Sequence, residues 1–275
     1  MSAVLLCARQ ELLLAVRSRW LQIFAVVFAA LALVVSSAGY IMSGGYGLQD
    51  FARTAASLVQ LVLLVVPLAA LSFGALALTP ERGSAEMLFA QPVSRTRILV
   101  GRYLGLFAAL GAAQAIGFGL AGLVIRDQAG IEGAFEFLAV VAVSLVLTAV
   151  FLSIAAMLAQ ARAARRARVL AIALVVWFLT VVLYDVAVLG IASLLRSGTA
   201  SRLLIVAALV NQADAARVAA LMAVEGTASF GAASLALLRF TGGAVNAALL
   251  ASASLLAWTL LPLLVAARRL VRADL

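Results

Sequence analysis

Residues 137–158 read Phe-Leu-Ala-Val-Val-Ala-Val-Ser-Leu-Val-Leu-Thr-Ala-Val-Phe-Leu-Ser-Ile-Ala-Ala-Met-Leu, a run without one charged side chain. As a helix this run is about 33 Å long, enough to cross the hydrocarbon core of a bilayer. In lipid every backbone N–H and C=O must find its partner within the chain, which a helix supplies. Five further stretches read the same way: Leu21–Met42, Leu58–Leu78, Tyr103–Ile125, Val169–Leu195 and Gly243–Ala266. The first begins too late and runs too long for a secretory signal. The expected fold class is all-α and integral to the membrane, with six transmembrane helices in a single domain over residues 1–275.

Composition agrees and excludes much else. Of 275 residues, 66% are hydrophobic and 11% charged. A soluble domain carries roughly a quarter charged residues. There is no Lys and no His; all 20 basic residues are Arg. A P-loop needs its Lys on the nucleotide phosphates. Schiff-base chemistry and histidine-held zinc or haem are excluded as well. The single cysteine, Cys7, has no internal disulfide partner. The spans carry no paired carboxylates for an intramembrane enzyme. No catalytic residue, metal site or cofactor of its own is expected on the chain. Met42, Met87, Met157 and Met222 are scattered among span ends and loops and form no ladder for copper.

The net charge of +9 gives a direction. One side holds Arg9, Arg17 and Arg19, then Arg82, Arg95, Arg97 and Arg102, then Arg162, Arg165, Arg166 and Arg168, and finally Arg268, Arg269 and Arg272. Against them stand Glu11, Glu81, Glu86 and Asp274, leaving +10 on that side. On the other side six arginines meet six acids. Arginine-rich loops stay in the cytoplasm, so both termini are expected there. The charge then reports topology and not a nucleic-acid site.

Between the spans lie three shorter elements. Residues 1–20 repeat apolar positions at Val4, Leu5, Ala8, Leu12 and Ala15, the spacing of a helix lying in the cytoplasmic interface, with Trp20 as an anchor. Residues 79–97 read Thr-Pro-Glu-Arg-Gly-Ser-Ala-Glu-Met-Leu-Phe-Ala-Gln-Pro-Val-Ser-Arg-Thr-Arg. Thr79 can cap a helix whose first residue is Pro80, and Glu81 suits its positive end. Pro92 stops that helix and Ser94 can cap the next. A short, capped, amphipathic cytoplasmic helix is what a docking partner in the cytosol requires. Residues 196–242 suggest short helices packed on the outer membrane face, at Leu203–Val210 and Ala215–Val224. Asn211 is placed to cap, and Asp214 and Arg217, three apart, share a face and can pair.

Inside the spans, Asp185 is costly unless paired or wetted. It faces either a subunit interface or translocation path, or else a Ser, Thr or Arg on a neighbouring helix or the outer headgroups. Gln60, Gln114 and Asn246 suit bridges between helices. Gly101-x-x-x-Gly105 and Gly117-x-Gly119 allow helices to approach closely.

The Glu-Arg-Gly-Ser-Ala-Glu-Met-Leu stretch at 81–88, then Gln-Pro-Val-Ser-Arg at 91–95 and Gly-Arg-Tyr-Leu-Gly at 101–105, resembles the coupling region of ABC-2-type permeases, the six-span membrane subunits of ABC exporters. Val176-Trp177-Phe178-Leu179 with Tyr184-Asp185, and Asn211-Gln212-Ala213-Asp214-Ala215-Ala216-Arg217, are similar to the NosY group of these permeases, which serves nitrous-oxide reductase maturation. The resemblance implies a type V exporter fold. It implies that Glu81, Arg82, Gly83, Glu86, Met87, Leu88, Phe89 and Pro92 couple to a cytoplasmic ABC ATPase subunit, present in two copies and holding the ATP and Mg. It implies a second copy of this chain and a bacterial inner-membrane location. It also implies a periplasmic beta-helical copper-handling partner, contacted through Asn211, Asp214 and Arg217. An ABC-2 permease exporting a lipid or drug-like substrate is the alternative.

Overall fold

The computed structural model describes residues 2–43, 48–79, 93–129, 134–161, 165–224 and 241–272. Helix α1 is Ala3–Arg17, α2 Arg19–Ser43, α3 Leu48–Leu78, α4 Arg95–Ala129 and α5 Ala134–Ala159. Helix α6, Arg166–Ser193, runs through a π-helical middle at Phe178–Leu183. Helices α7 (Ser197–Val210), α8 (Gln212–Val224) and α9 (Ala244–Arg272) follow among the described residues. Among the described residues there is no strand, and six helices are long and apolar enough to cross a membrane: α2, α3, α4, α5, α6 and α9. The fold is all-α with six spans. The helices overrun the apolar stretches; α4 begins at Arg95, eight residues before Tyr103. Arg is a good helix former, and its long stem carries the charge out of the apolar zone, so nothing stops the helix where the apolar run ends.

Helices α3, α4 and α5 form the centre. About half of the most apolar window is buried in α3 and α5, against 11% in α6. Small residues set the spacing: a Cβ on Gly74 of α3 would lie 2.5 Å from the Ala155 Cβ of α5. Five rings then link α2, α3, α4 and α5. Phe28 packs edge-on to Phe118 at 5.2 Å, Phe24 meets Phe73 at 6.0 Å, and Phe118 meets Phe137 at 6.0 Å. Gln114 is a true helix bridge: its amide donates to Thr148 Oγ1 at 2.7 Å and accepts from Ser144 Oγ at 2.6 Å, joining α4 to α5. Gln60 instead lies exposed, and Asn246 reaches back to the Thr241 carbonyl at 2.9 Å within its own helix start.

Helix α1 lies against α4, seated over the two glycines. A Cβ on Gly101 would fall 2.5 Å from Cys7 Cβ, and one on Gly105 would strike the Ala8 carbonyl. The docked face is therefore Val4, Cys7, Ala8 and Glu11, while Leu5, Leu6, Leu13 and Leu14 are left exposed. The single apolar stripe expected from spacing, with Leu5 beside Ala8, is thus split between two environments. Lipid and a helix neighbour both accept apolar side chains, so periodicity alone does not separate them.

The arginine-rich end is held by side chains that reach the last carbonyls of neighbouring helices. Arg95 Nη1 donates to Leu270 O of α9 and Arg269 Nη1 to Met157 O of α5, each at 3.3 Å. Arg102 reaches the Ala77 carbonyl of α3. These carbonyls have no partner within their own helix.

Candidate functional site

Helices α7 and α8 meet at 97°. The corner, Asn211, is anchored deep in the bundle. Asn211 Nδ2 donates to the Thr180 carbonyl in the π segment of α6 at 2.8 Å, and Trp258 Nε1 of α9 donates to the Val210 carbonyl at 2.9 Å. Ser254 Oγ donates to Leu209 O at 2.5 Å, and the Tyr184 hydroxyl to Ala207 O at 3.1 Å. Thr180 and Trp258 each stand about 14 residues, or about 21 Å, from the ends of their helices. The corner therefore reaches the middle of α6 and α9, whereas the sequence suggested helices lying on the outer face. Two features allow this. The carbonyls of Leu209 and Val210, freed by the break, are taken by side chains, as an apolar medium demands. And α8 presents Ala213, Ala215, Ala216 and Ala220, all buried and small enough to pass between α3, α5 and α9.

One turn along α8 is Arg217. Its Nη1 lies 2.6 Å from Asp185 Oδ2 of α6 and 2.9 Å from Asp214 Oδ1. Two carboxylates share one guanidinium, so the ionised cluster carries a net negative charge. The Arg217 Nε is buried without a partner. Asp185 stands two residues past the π segment, whose Thr180 carbonyl accepts from Asn211 of the hairpin. Of the readings open to Asp185, the ion pair with an arginine on a neighbouring helix is the one present. The cluster can clamp the hairpin to α6 by charge, while Asn211 clamps it by hydrogen bonds.

The structure thus brings Asp185, Asn211, Asp214 and Arg217 together. Asn211 is buried and engaged at both ends of its amide, since Oδ1 accepts from the Ala213 amide at 3.1 Å. Asp214 and Arg217 turn toward Asp185. All three make bonds that fasten the hairpin internally. Glu81, Arg82, Gly83, Glu86, Met87, Leu88, Phe89 and Pro92 lie outside the described residues. Their two flanks are described. The Thr79 hydroxyl donates to Ala75 O at 2.6 Å, closing α3, and the Ser94 carbonyl accepts from the Arg97 and Ile98 amides, opening α4. Among the described residues no three His, Cys, Asp or Glu side chains gather as metal ligands would. Sequence reasoning missed Thr180, Tyr184, Ser254 and Trp258. A mid-span tryptophan, whose N–H must find an acceptor, was the available signal for Trp258.

A family model described as ABC-2 family transporter protein matches residues 5–275. The chain belongs to the ABC-2 transporter family. Two relatives bear the description probable ABC transporter permease protein NosY. The one from Pseudomonas aeruginosa is 34% identical over 245 residues, covering 86% of this chain and 88% of the relative. The one from Stutzerimonas stutzeri is 33% identical over 228 residues, covering 81% and 82%. This ABC-2 permease is accordingly a multi-pass membrane subunit of an ABC transporter, similar to NosY, and the polar clamp joins its fifth span to its hairpin.

Proposed function

We propose that this permease transmits the work of a separate ATPase across a bacterial inner membrane, in a NosY-type system that matures the copper sites of nitrous-oxide reductase. The observation that carries the reading is a full-length family match on a chain without lysine, which has six spans and no means of building a P-loop. The nucleotide chemistry, with its ATP and Mg, then belongs to two copies of an ABC ATPase subunit docked on Glu81, Arg82, Gly83, Glu86, Met87, Leu88, Phe89 and Pro92. Both termini face the cytoplasm, in keeping with the arginine excess on that side. The chain itself is not an enzyme and holds no cofactor.

A second copy of the chain completes the membrane core. What supports this is α6, which exposes Ile172, Val175, Phe178, Leu179, Val182 and Val186 on several faces. A helix apolar all round belongs inside protein or lipid. The outer region that carries Asn211, Asp214 and Arg217, beside the exposed Leu194 at the end of α6, is the platform for a beta-helical copper-handling protein. Motion of α6 reaches that platform through the clamp on α7 and α8. Without histidine and without a methionine ladder, the spans give copper no soft path. The cargo is another species, or the output is movement delivered to the periplasmic partner.

The test is co-purification of the permease with its ATPase and measurement of stimulated hydrolysis in reconstituted vesicles. Glu86→Gln or Phe89→Ala should uncouple hydrolysis from the membrane part. Wild-type assembly and stimulation in both variants would remove the docking assignment. ATP-driven efflux of a lipid or drug, with no binding to a beta-helical protein, would replace the maturation role by general export.

A further inference from the structure

Arg102 lies two turns into α4 and touches two other helices at once. Its Nε donates to Glu11 Oε2 of α1 at 2.9 Å, and its Nη2 reaches the Ala77 carbonyl in the last turn of α3. Residue 80, the start of the docking segment, follows three positions later. The same turn is held from two other sides. Gln160 Nε2, just past α5, donates to Leu78 O at 3.3 Å, and Thr79 closes onto Ala75 O at 2.6 Å. The carbonyls of a last helical turn have no partner of their own. Here those of Ala75, Ala77 and Leu78 are each held by a side chain, so the root of the docking segment is a firm mount.

Glu11 adds an argument. Its side chain is only 11% exposed, and it faces Arg102 across the two glycines that seat α1. A buried ion pair is a poor source of stability, since apolar residues of the same volume often do better. It does fix geometry. The planar guanidinium offers donors in two directions, toward a carboxylate and a carbonyl together, which an ammonium on a flexible stem does not reproduce.

We propose that Arg102 and Glu11 are positioning residues for ATP coupling. They join α1, α4 and the last turn of α3 into one body, so that displacement at the docking segment moves α1 and α4 together. This rests on the reading that residues 80–92 dock the ATPase.

The experiment uses the whole transporter, permease with ATPase, in lipid nanodiscs. It compares wild type with Arg102→Gln, Glu11→Gln, Arg102→Lys, the exchanged pair Glu11→Arg/Arg102→Glu, and the exposed control Arg168→Gln. Three quantities are read: ATPase bound per permease, the thermal midpoint, and kcat with KM for ATP. Arg102→Gln and Glu11→Gln should keep bound ATPase and KM at wild-type levels and lower the stimulated kcat about fivefold or more. Arg102→Lys should fall between. The exchanged pair should recover part of the loss, since it restores the ion pair and not the link to Ala77. Arg168→Gln should match wild type. The proposal is overturned if both single variants stimulate like wild type, or if they lose bound ATPase and thermal midpoint together, which would make the pair merely structural. If the wild-type permease binds no ATPase, the docking reading itself fails first and this proposal goes with it.

Discussion

Replacing Arg217 with Gln should harm the protein more than neutralising either carboxylate that it holds. Unit charges about 4 Å apart interact by about 4 kcal/mol at an effective dielectric of 20 and about 1 kcal/mol in water. The Arg217 side chain is 27% exposed and Asp185 is 32% exposed, so the clamp lies between these limits. Allowing for screening, about 2 kcal/mol per pair is reasonable. Asp185→Asn removes one such attraction. It also removes repulsion from Asp214 and leaves a neutral Asp214–Arg217 pair, so its net cost should be about 1 kcal/mol or less. Arg217→Gln removes both attractions and strands two carboxylates side by side, a loss of about 3 kcal/mol or more. In the Arg217→Gln background, Asp185→Asn then relieves repulsion and should recover stability. The double variant is therefore better than the sum of the singles, by about 2 kcal/mol. Unfolding of the four proteins by denaturant titration in mixed micelles, or by steric trapping, closes the cycle. If Asp185→Asn costs as much as Arg217→Gln, or if the effects add within about 0.5 kcal/mol, the three groups do not form the cluster described.

Four further substitutions follow from the packing. Gly117→Ala places a methyl group 2.6 Å from the Phe28 ring and should cost about 1–3 kcal/mol. Gly119→Ala, with open space around it, should be neutral or stabilising by up to about 1 kcal/mol; equal effects on the unfolding midpoint would contradict the α2–α4 contact. Gln114→Leu leaves Ser144 without its acceptor and Thr148 without its donor, and should destabilise by about 0.6–1.7 kcal/mol; an unchanged midpoint would remove the bridge. Trp258→Phe keeps the ring and deletes the donor to Val210 O, so amide exchange in α8 should accelerate by about tenfold for a bond worth about 1.4 kcal/mol. Unchanged exchange would mean that the hairpin is not hung from α9.

The spans were legible because apolarity and length are one-dimensional properties, and residues 137–158 display both. Pairing between spans is not one-dimensional. Asp214 and Arg217 share a helix face, and three residues of spacing reveal it. Asp185 reaches the same guanidinium from 32 residues away, across the turn between α6 and α7 and past a π segment that no composition marks. The depth of the hairpin was hidden for a related reason. Its apolar helices suit a membrane surface as well as a membrane interior, and what decides is the set of donors on Tyr184, Ser254 and Trp258 waiting for its carbonyls. The docked face of α1 shows the opposite case: Gly101 and Gly105 gave a usable sign of close approach, but not of which helix would approach.

The arginine excess takes on a second cause. Positive loops orient the chain, and for that purpose lysine would serve equally well. Yet α3, α5 and α9 all end at the arginine-rich side, and a helix end carries orphan carbonyls and partial negative charge. Arg102, Arg95 and Arg269 each donate to such a carbonyl on another helix. For Arg102 the same guanidinium also holds Glu11, which requires a fork and not a point charge. The two roles separate experimentally: exchanging these three arginines for lysines preserves every charge and hence the topology, while loosening the seams between helices. A permease that keeps its orientation in a terminus-accessibility assay but unfolds at lower denaturant would show that the choice of arginine serves packing, and only its charge serves direction.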